Sequence, residues 1–167
     1  CINLLTTNET YFFRHKRHWD FFNERIVRDW LGTHTGSASF RVWSAAASTG
    51  EEAYSAAILL NDSFSGKKGL SFVIEASDIN EDVLQRAREG TYSDYSLQKL
   101  TPEGVRRFFV TTPDGRRQVC DDVRSSVHFL RRNLLELSSG PAFDVIFLRN
   151  VIIYFDNASK AKAIEHA

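Results

Sequence analysis

The 167-residue chain has no methionine and only two cysteines, Cys1 and Cys120. Two thiols without zinc-type spacing exclude a disulfide framework and a cysteine-ligated metal, and they read as reduced thiols of a cytosolic protein. Neither sign of charge is in excess: 21 lysines and arginines balance 21 aspartates and glutamates, so no global field draws the chain to nucleic acid or an anionic membrane. Long hydrophobic runs are missing too. The longest apolar stretches are strand-sized, well short of the ~20 residues of a membrane span, and no signal peptide is legible. The five histidines, His15, His18, His34, His128 and His166, lack metal-ligand spacing. Without an initiating methionine, the sequence reads as a fragment or a processed form.

What is present suffices for one domain with a real core: 43% of residues are hydrophobic and 25% charged. In residues 10–31, Phe12, Phe13, Trp19, Phe22, Ile26, Val27 and Trp30 fit an amphipathic helix broken early by its aromatic cluster. A polar loop over 32–39 follows. Apolar strands at 40–46, 70–77, 126–131 and 143–149 then alternate with helices at 50–62, at 81–89 (closed by Gly90) and from near Asp156. That rhythm predicts an α/β fold with a parallel sheet and helices on its faces. Residues 91–125 interrupt it with Pro-Asp-Gly between two β-prone runs, which predicts a small antiparallel insert.

In such sheets ligands sit beyond the carboxyl ends of the strands. The first turn, Ala45-Ala46-Ala47-Ser48-Thr49-Gly50, is built of small residues that admit a ligand close to the backbone. It lacks Gly-x-Gly-x-x-Gly and is followed by Glu51 and Glu52, which would repel a pyrophosphate. No Lys-Ser/Thr follows, so a P-loop is excluded, and a nicotinamide dinucleotide is disfavoured. Ser48-x-x-Glu51 and Thr49-x-x-Glu52 each match a capping box, so the glutamates serve equally well as caps. Asp78 closes the second strand, where an acidic side chain accepts hydrogen bonds from ribose hydroxyls or simply caps the next helix. A cationic nucleoside without phosphates, such as S-adenosylmethionine, suits this edge.

Four segments together resemble the CheR-type chemotaxis receptor methyltransferases: TTNETYFFR (6–14), VWSAAASTGEEAYS (42–55), ASDINEDVLQRAREGTY (76–92) and FDVIFLRNVIIYFD (143–156). They stand in that family's order, at about its spacing, over nearly the whole chain. Ala53 stands where the family commonly has proline. The resemblance implies a Rossmann-like class I methyltransferase sheet with a small antiparallel β insert at about 91–125, so that 1–167 is a catalytic domain. It implies methyl transfer from S-adenosylmethionine, leaving S-adenosylhomocysteine, to glutamate carboxylates in the cytoplasmic domain of methyl-accepting chemoreceptors. Cofactor contacts are implied for Asn8, Thr10, Arg14, Ala45, Glu51, Asp78 and Ile79, with Asn133 and Leu134 flanking the adenine beside Asn150. Arg14 and Tyr154 are implied beside the transferring methyl. The short hairpin at 109–119 resembles members that act without a receptor tether peptide. The family's N-terminal helical domain and three further strands are not in the sequence, which therefore reads as truncated at its C-terminus.

The implied chemistry asks little of acid–base groups. A glutamate acceptor, with an unperturbed pKa of about 4.3, is already ionised at neutral pH. The protein must position it and strip its water. A guanidinium grips a carboxylate bidentately and a phenol adds one hydrogen bond, which Arg14 and Tyr154 can supply. Against this, Arg14 also belongs to the basic run Arg14-His15-Lys16-Arg17-His18, and Tyr154 also fits a rim aromatic after a buried strand. A module that only binds S-adenosylmethionine and scaffolds a signalling partner is the competing reading.

Overall fold

The computed structural model describes residues 10–136 and 142–165. In chain order its strands are β1 (Ala38–Ala45), β2 (Leu70–Asp78), β3 (Thr91–Tyr92), β4 (Phe109–Thr111), β5 (Arg117–Val119), β6 (Val127–Arg131) and β7 (Val145–Leu148). The helices are α1 (Lys16–Phe21), continued by a π-helical stretch (Phe22–Val27) into α2 (Arg28–Thr33), then α3 (Glu51–Phe64), α4 (Glu81–Glu89), α5 (Pro102–Phe108), α6 (Asp121–Arg124) and α7 (Asn157–Glu165). Among the described residues no helix is long and apolar enough to cross a membrane.

β1, β2, β6 and β7 form a parallel sheet in the order β6-β2-β1-β7, the α/β architecture expected of the alternating pattern. The chain builds outward from β1 to β2 and β6, then returns to lay β7 on the other side of β1. Connections after β1 and β7 therefore diverge, which opens a crevice at the carboxyl edge of the sheet. Side-chain alternation splits the core. Phe40 and Val42 of β1, Ile74 and Ala76 of β2 and Phe147 of β7 pack under α3 with Phe12, Trp19 and Phe22. Trp43 and Ala45 point to the opposite face, where Leu134 and Ala163 of α7 cover them. Helical structure thus lies on both faces.

The antiparallel insert is a three-stranded sheet, β3-β5-β4, turned at Pro113-Asp114-Gly115 with Gly115 at φ 82°. It also contains α5, which starts where the Thr101 hydroxyl accepts the Gly104 amide at 3.1 Å and Pro102 occupies the first helical turn. The expected helix over 10–31 begins only at Lys16. Phe13 and His15, at φ 56° and 61°, hold the preceding stretch out of the helix. The aromatic cluster there is buried by tertiary packing instead: the Phe12 ring lies edge-on to Tyr92 and Phe109, with centroids 4.9 and 5.1 Å away.

Candidate active site

Strand register brings the ends of the parallel strands level: Ala45 pairs with Ser77 on one side and Leu148 on the other, and Asp78 pairs with Arg131. The turn after β1 curls back over this edge. Ala46 (φ 59°), Ser48 (φ 51°) and Gly50 (φ 93°) all adopt left-handed backbone. The turn is tied to β2 by the Ala47 amide on the Ser77 carbonyl at 2.8 Å and the Ser48 amide on Asp78 Oδ2 at 2.9 Å. Asp78 Oδ1 accepts the Asn80 amide at 3.0 Å. Each carboxylate oxygen keeps a lone pair, so Asp78 shapes the turn and still has acceptor capacity for hydroxyls.

The helix after this turn starts differently from the capping-box expectation. Gly50 is the N-cap and no side chain caps the helix. A Cβ on Gly50 would stand 3.0 Å from Ala87 Cβ and 3.1 Å from both the Phe129 ring and the Tyr92 hydroxyl, so only glycine fits. The two glutamates are turned to other partners. Glu51 is 3% exposed. Its Oε2 accepts the Thr49 hydroxyl at 2.6 Å and its Oε1 the Ser96 hydroxyl at 3.4 Å, and among the described residues no cation pairs with it. Burial raises its pKa, opposed by these hydroxyls. Tyr92, buried beside it with its phenol pKa also raised by burial and by the Glu51 charge, donates to the Thr49 carbonyl at 2.7 Å.

Glu52 faces the opposite way. Its Oε1 accepts the Ser44 hydroxyl at 2.8 Å and its Oε2 pairs with Arg149 at 3.1 Å. Burial raises its pKa, with Arg149, Ser44 and Arg14 acting against the shift. The segment before α1 is clamped to the same helix: the Phe13 amide donates to the Ser55 hydroxyl at 2.9 Å, which donates to the Glu51 carbonyl at 2.6 Å. The Phe12 amide donates to the Ser96 carbonyl at 2.9 Å.

Of the residues marked in the sequence, Thr10, Arg14, Ala45, Glu51, Asp78 and Asn150 lie on four segments that meet at this edge: the stretch before α1, the turn after β1, the end of β2 and the end of β7, with Asn150 at φ 59°. Ile79 is 60% exposed just beyond Asp78. Asn133 closes a local turn, accepting the Leu135 amide at 3.0 Å and donating to Glu136 at 3.1 Å. Leu134 is buried under Trp43 and Ala45, so its side chain is committed to the core. Asn8 lies outside the described residues. Tyr154 ends a 3₁₀ turn, Ile152–Tyr154, but its side chain is outside them as well. The sequence reading took Glu52 only as a cap or as repelling a phosphate, and it passed over Ser55, Tyr92 and Arg149, although Arg149 stands next to Asn150 in the motif itself. Among the described residues no three His, Cys, Asp or Glu side chains gather as a metal site.

A family model described as "CheR methyltransferase, SAM binding domain" matches residues 8–167. A chemotaxis protein methyltransferase 2 of Vibrio cholerae is 38% identical over 98% of this chain and 58% of its own length. Chemotaxis protein methyltransferases of Escherichia coli and Salmonella typhimurium are 41% and 42% identical, over 98% and 95% of this chain and 56% and 54% of theirs. The chain thus spans a little over half the length of these relatives. Among solved structures, the glycopeptide N-methyltransferase MtfA complexed with sinefungin superposes with a TM-score of 0.53 at 12% identity, covering 95% of this chain and 45% of that one, a likeness of fold.

Proposed function

Because the chain belongs to the CheR methyltransferase family, in its S-adenosylmethionine-binding domain, we propose that the protein methylates glutamate side chains in the cytoplasmic domain of chemoreceptors. The observation that carries this reading is Glu51. A carboxylate this buried, held by two hydroxyls and with no cation paired to it among the described residues, is a counter-charge prepared for a positive ligand. The ammonium of S-adenosylmethionine is such a charge, and the small left-handed turn gives it close approach to the backbone. Asp78, fixed by two backbone amides, takes the ribose hydroxyls. Ile79, Asn133 and Asn150 line the nucleoside above Ala45 and Leu134, which meet it through their backbone because their side chains lie in the core, and Asn8 and Thr10 close it from the N-terminal motif.

Once bound, the cofactor supplies a methyl group activated by positively charged sulfur. The chain's own work is placement. Arg14 grips the acceptor carboxylate bidentately and Tyr154 adds one hydrogen bond, orienting the nucleophile while displacing its water. No general base is required, since the acceptor is already ionised. The reading includes action in the cytoplasm and, in keeping with the short β4–β5 hairpin, on receptors without capture of a tether peptide.

Calorimetric titration with S-adenosylhomocysteine tests the site. The protein binds it one-to-one, and the Glu51→Ala, Asp78→Ala double variant does not. Incubation of receptor fragments with labelled S-adenosylmethionine then yields base-labile methyl esters. Failure of the folded wild type to bind, or esters that persist in an Arg14→Ala variant at wild-type rate, defeats the reading.

A further inference from the structure

Arg149 lies between β7 and Asn150, and its guanidinium joins three parts of the site. One terminal nitrogen donates to Glu52 Oε2 at 3.1 Å and the other to the Arg14 carbonyl at 2.8 Å, while the group sits 5.6 Å from the centre of the Trp19 ring. The Trp19 indole N–H donates to the same carbonyl at 3.0 Å. The ionic side chains are only 15% and 18% exposed, and the Ser44 hydroxyl holds the far oxygen of Glu52. This carbonyl lies between Phe13 and His15, both left-handed, in a backbone that relaxes toward ordinary conformations once its restraints go.

We propose that Arg149 is the positioning residue that aims the Arg14 side chain, acting through the Arg14 carbonyl, with Glu52 anchoring Arg149. The inference rests on the assignment of Arg14 to the acceptor carboxylate. A planar fork is needed because two acceptors on different elements must be bridged at once; a lysine ammonium in that place serves one of them and leaves the other. The link also explains why the second glutamate of the pair is turned away from Glu51 and from the helix cap.

Arg149→Lys, Glu52→Gln, Arg14→Lys and the Arg149→Lys, Arg14→Lys double variant are made in the protein and measured in four ways. S-adenosylhomocysteine affinity stays within about threefold of wild type for Arg149→Lys, because the Glu51 and Asp78 contacts are untouched. Its kcat/KM for receptor fragments falls about 10–100-fold, the cost of a misplaced catalytic group. Amide exchange in residues 12–16 accelerates while β1 and β2 keep their protection, and Glu52→Gln gives the same pattern more weakly. In the Arg14→Lys background, Arg149→Lys lowers the rate by less than about twofold, since it acts through Arg14. Losses that multiply, or unchanged exchange at 12–16, overturn the proposal. A wild type that binds S-adenosylhomocysteine but methylates no receptor defeats the functional reading instead, and the exchange measurement still decides whether the link exists.

Discussion

Replacing Glu51 by glutamine separates the ligand's interests from the fold's. The amide has the same shape and can keep both hydroxyl partners: one hydroxyl donates to its oxygen and the other rotates to accept from its nitrogen. Only the charge is lost. At about 4 Å and an effective dielectric near 20, a ligand cation and this carboxylate attract by about 4 kcal/mol before desolvation. A net charged hydrogen bond is worth about 1.5–3 kcal/mol, so S-adenosylhomocysteine affinity drops about 10–100-fold. Stability moves the other way. Relief of a buried charge with no paired cation contributes on the order of 1 kcal/mol, a rise of about 2–4 °C in Tm for a domain of this size. The pH dependence follows from the raised folded pKa. The fold favours the neutral carboxyl, so this group supports folding fully below its ordinary value of 4.5, and that support is lost as pH rises through the raised value. The stability advantage of Glu51→Gln is therefore widest near neutrality and closes toward pH 4. Wild-type affinity for the ligand weakens on acidification over the same window, while that of the variant does not. A variant that melts lower than wild type and binds as well makes Glu51 a structural residue and refutes the assignment.

Two further outcomes test the turn. Gly50→Ala forces a left-handed φ on a residue with Cβ and drives that atom into Ala87, Phe129 and Tyr92, costing roughly 2–4 kcal/mol in urea unfolding; a loss below about 0.5 kcal/mol would show that the turn relaxes freely. Asp78→Asn keeps one carbonyl oxygen for two backbone amides and removes the charge, so affinity for S-adenosylhomocysteine falls about tenfold while Tm drops by a few degrees, read by calorimetry and thermal melts; equal binding would remove Asp78 from the site.

The sheet was legible because its strands are short apolar runs whose burial depends on local pattern: β1, β2, β6 and β7 each lie within two residues, at both ends, of the stretches read from sequence. α4 was read with its bounds and with Gly90, at φ 62°, as its end, but its cap is Asn80, whose side chain accepts the Asp82 amide at 2.9 Å, rather than Asp78. What escaped depends on distant partners. Ser48 and Thr49 spell a capping box, but Ser48 is left-handed and the Thr49 hydroxyl is drawn to Glu51, so Gly50 caps instead. The partner that turns Glu52 lies 97 residues away, beyond any window of periodicity. In the insert, Thr101-Pro102 carries the start signal of α5, overshadowed by the hairpin after it.

The non-glycine residues with left-handed backbone among those described are Phe13, His15, Ala46, Ser48 and Asn150, and all lie on three of the segments that meet at the carboxyl edge of the sheet. At about 1–2 kcal/mol each, they cost on the order of 5–10 kcal/mol together, comparable with the whole stability of an ordinary domain. Such strain persists only where the surroundings over-determine it. Here the restraints are visible: the Ser77 carbonyl and Asp78 carboxylate hold the first turn, and Ser55, Trp19 and Arg149 hold the segment around Arg14. A fold selected for stability alone would place glycines at these positions. Curvature with side chains in place instead brings the backbone of the first turn, of the Arg14 segment and of Asn150 to one edge of the sheet. Under the proposed function, rigidity is what methyl transfer would require of this edge, because without a general base the rate depends on how closely the acceptor is held to the line of attack.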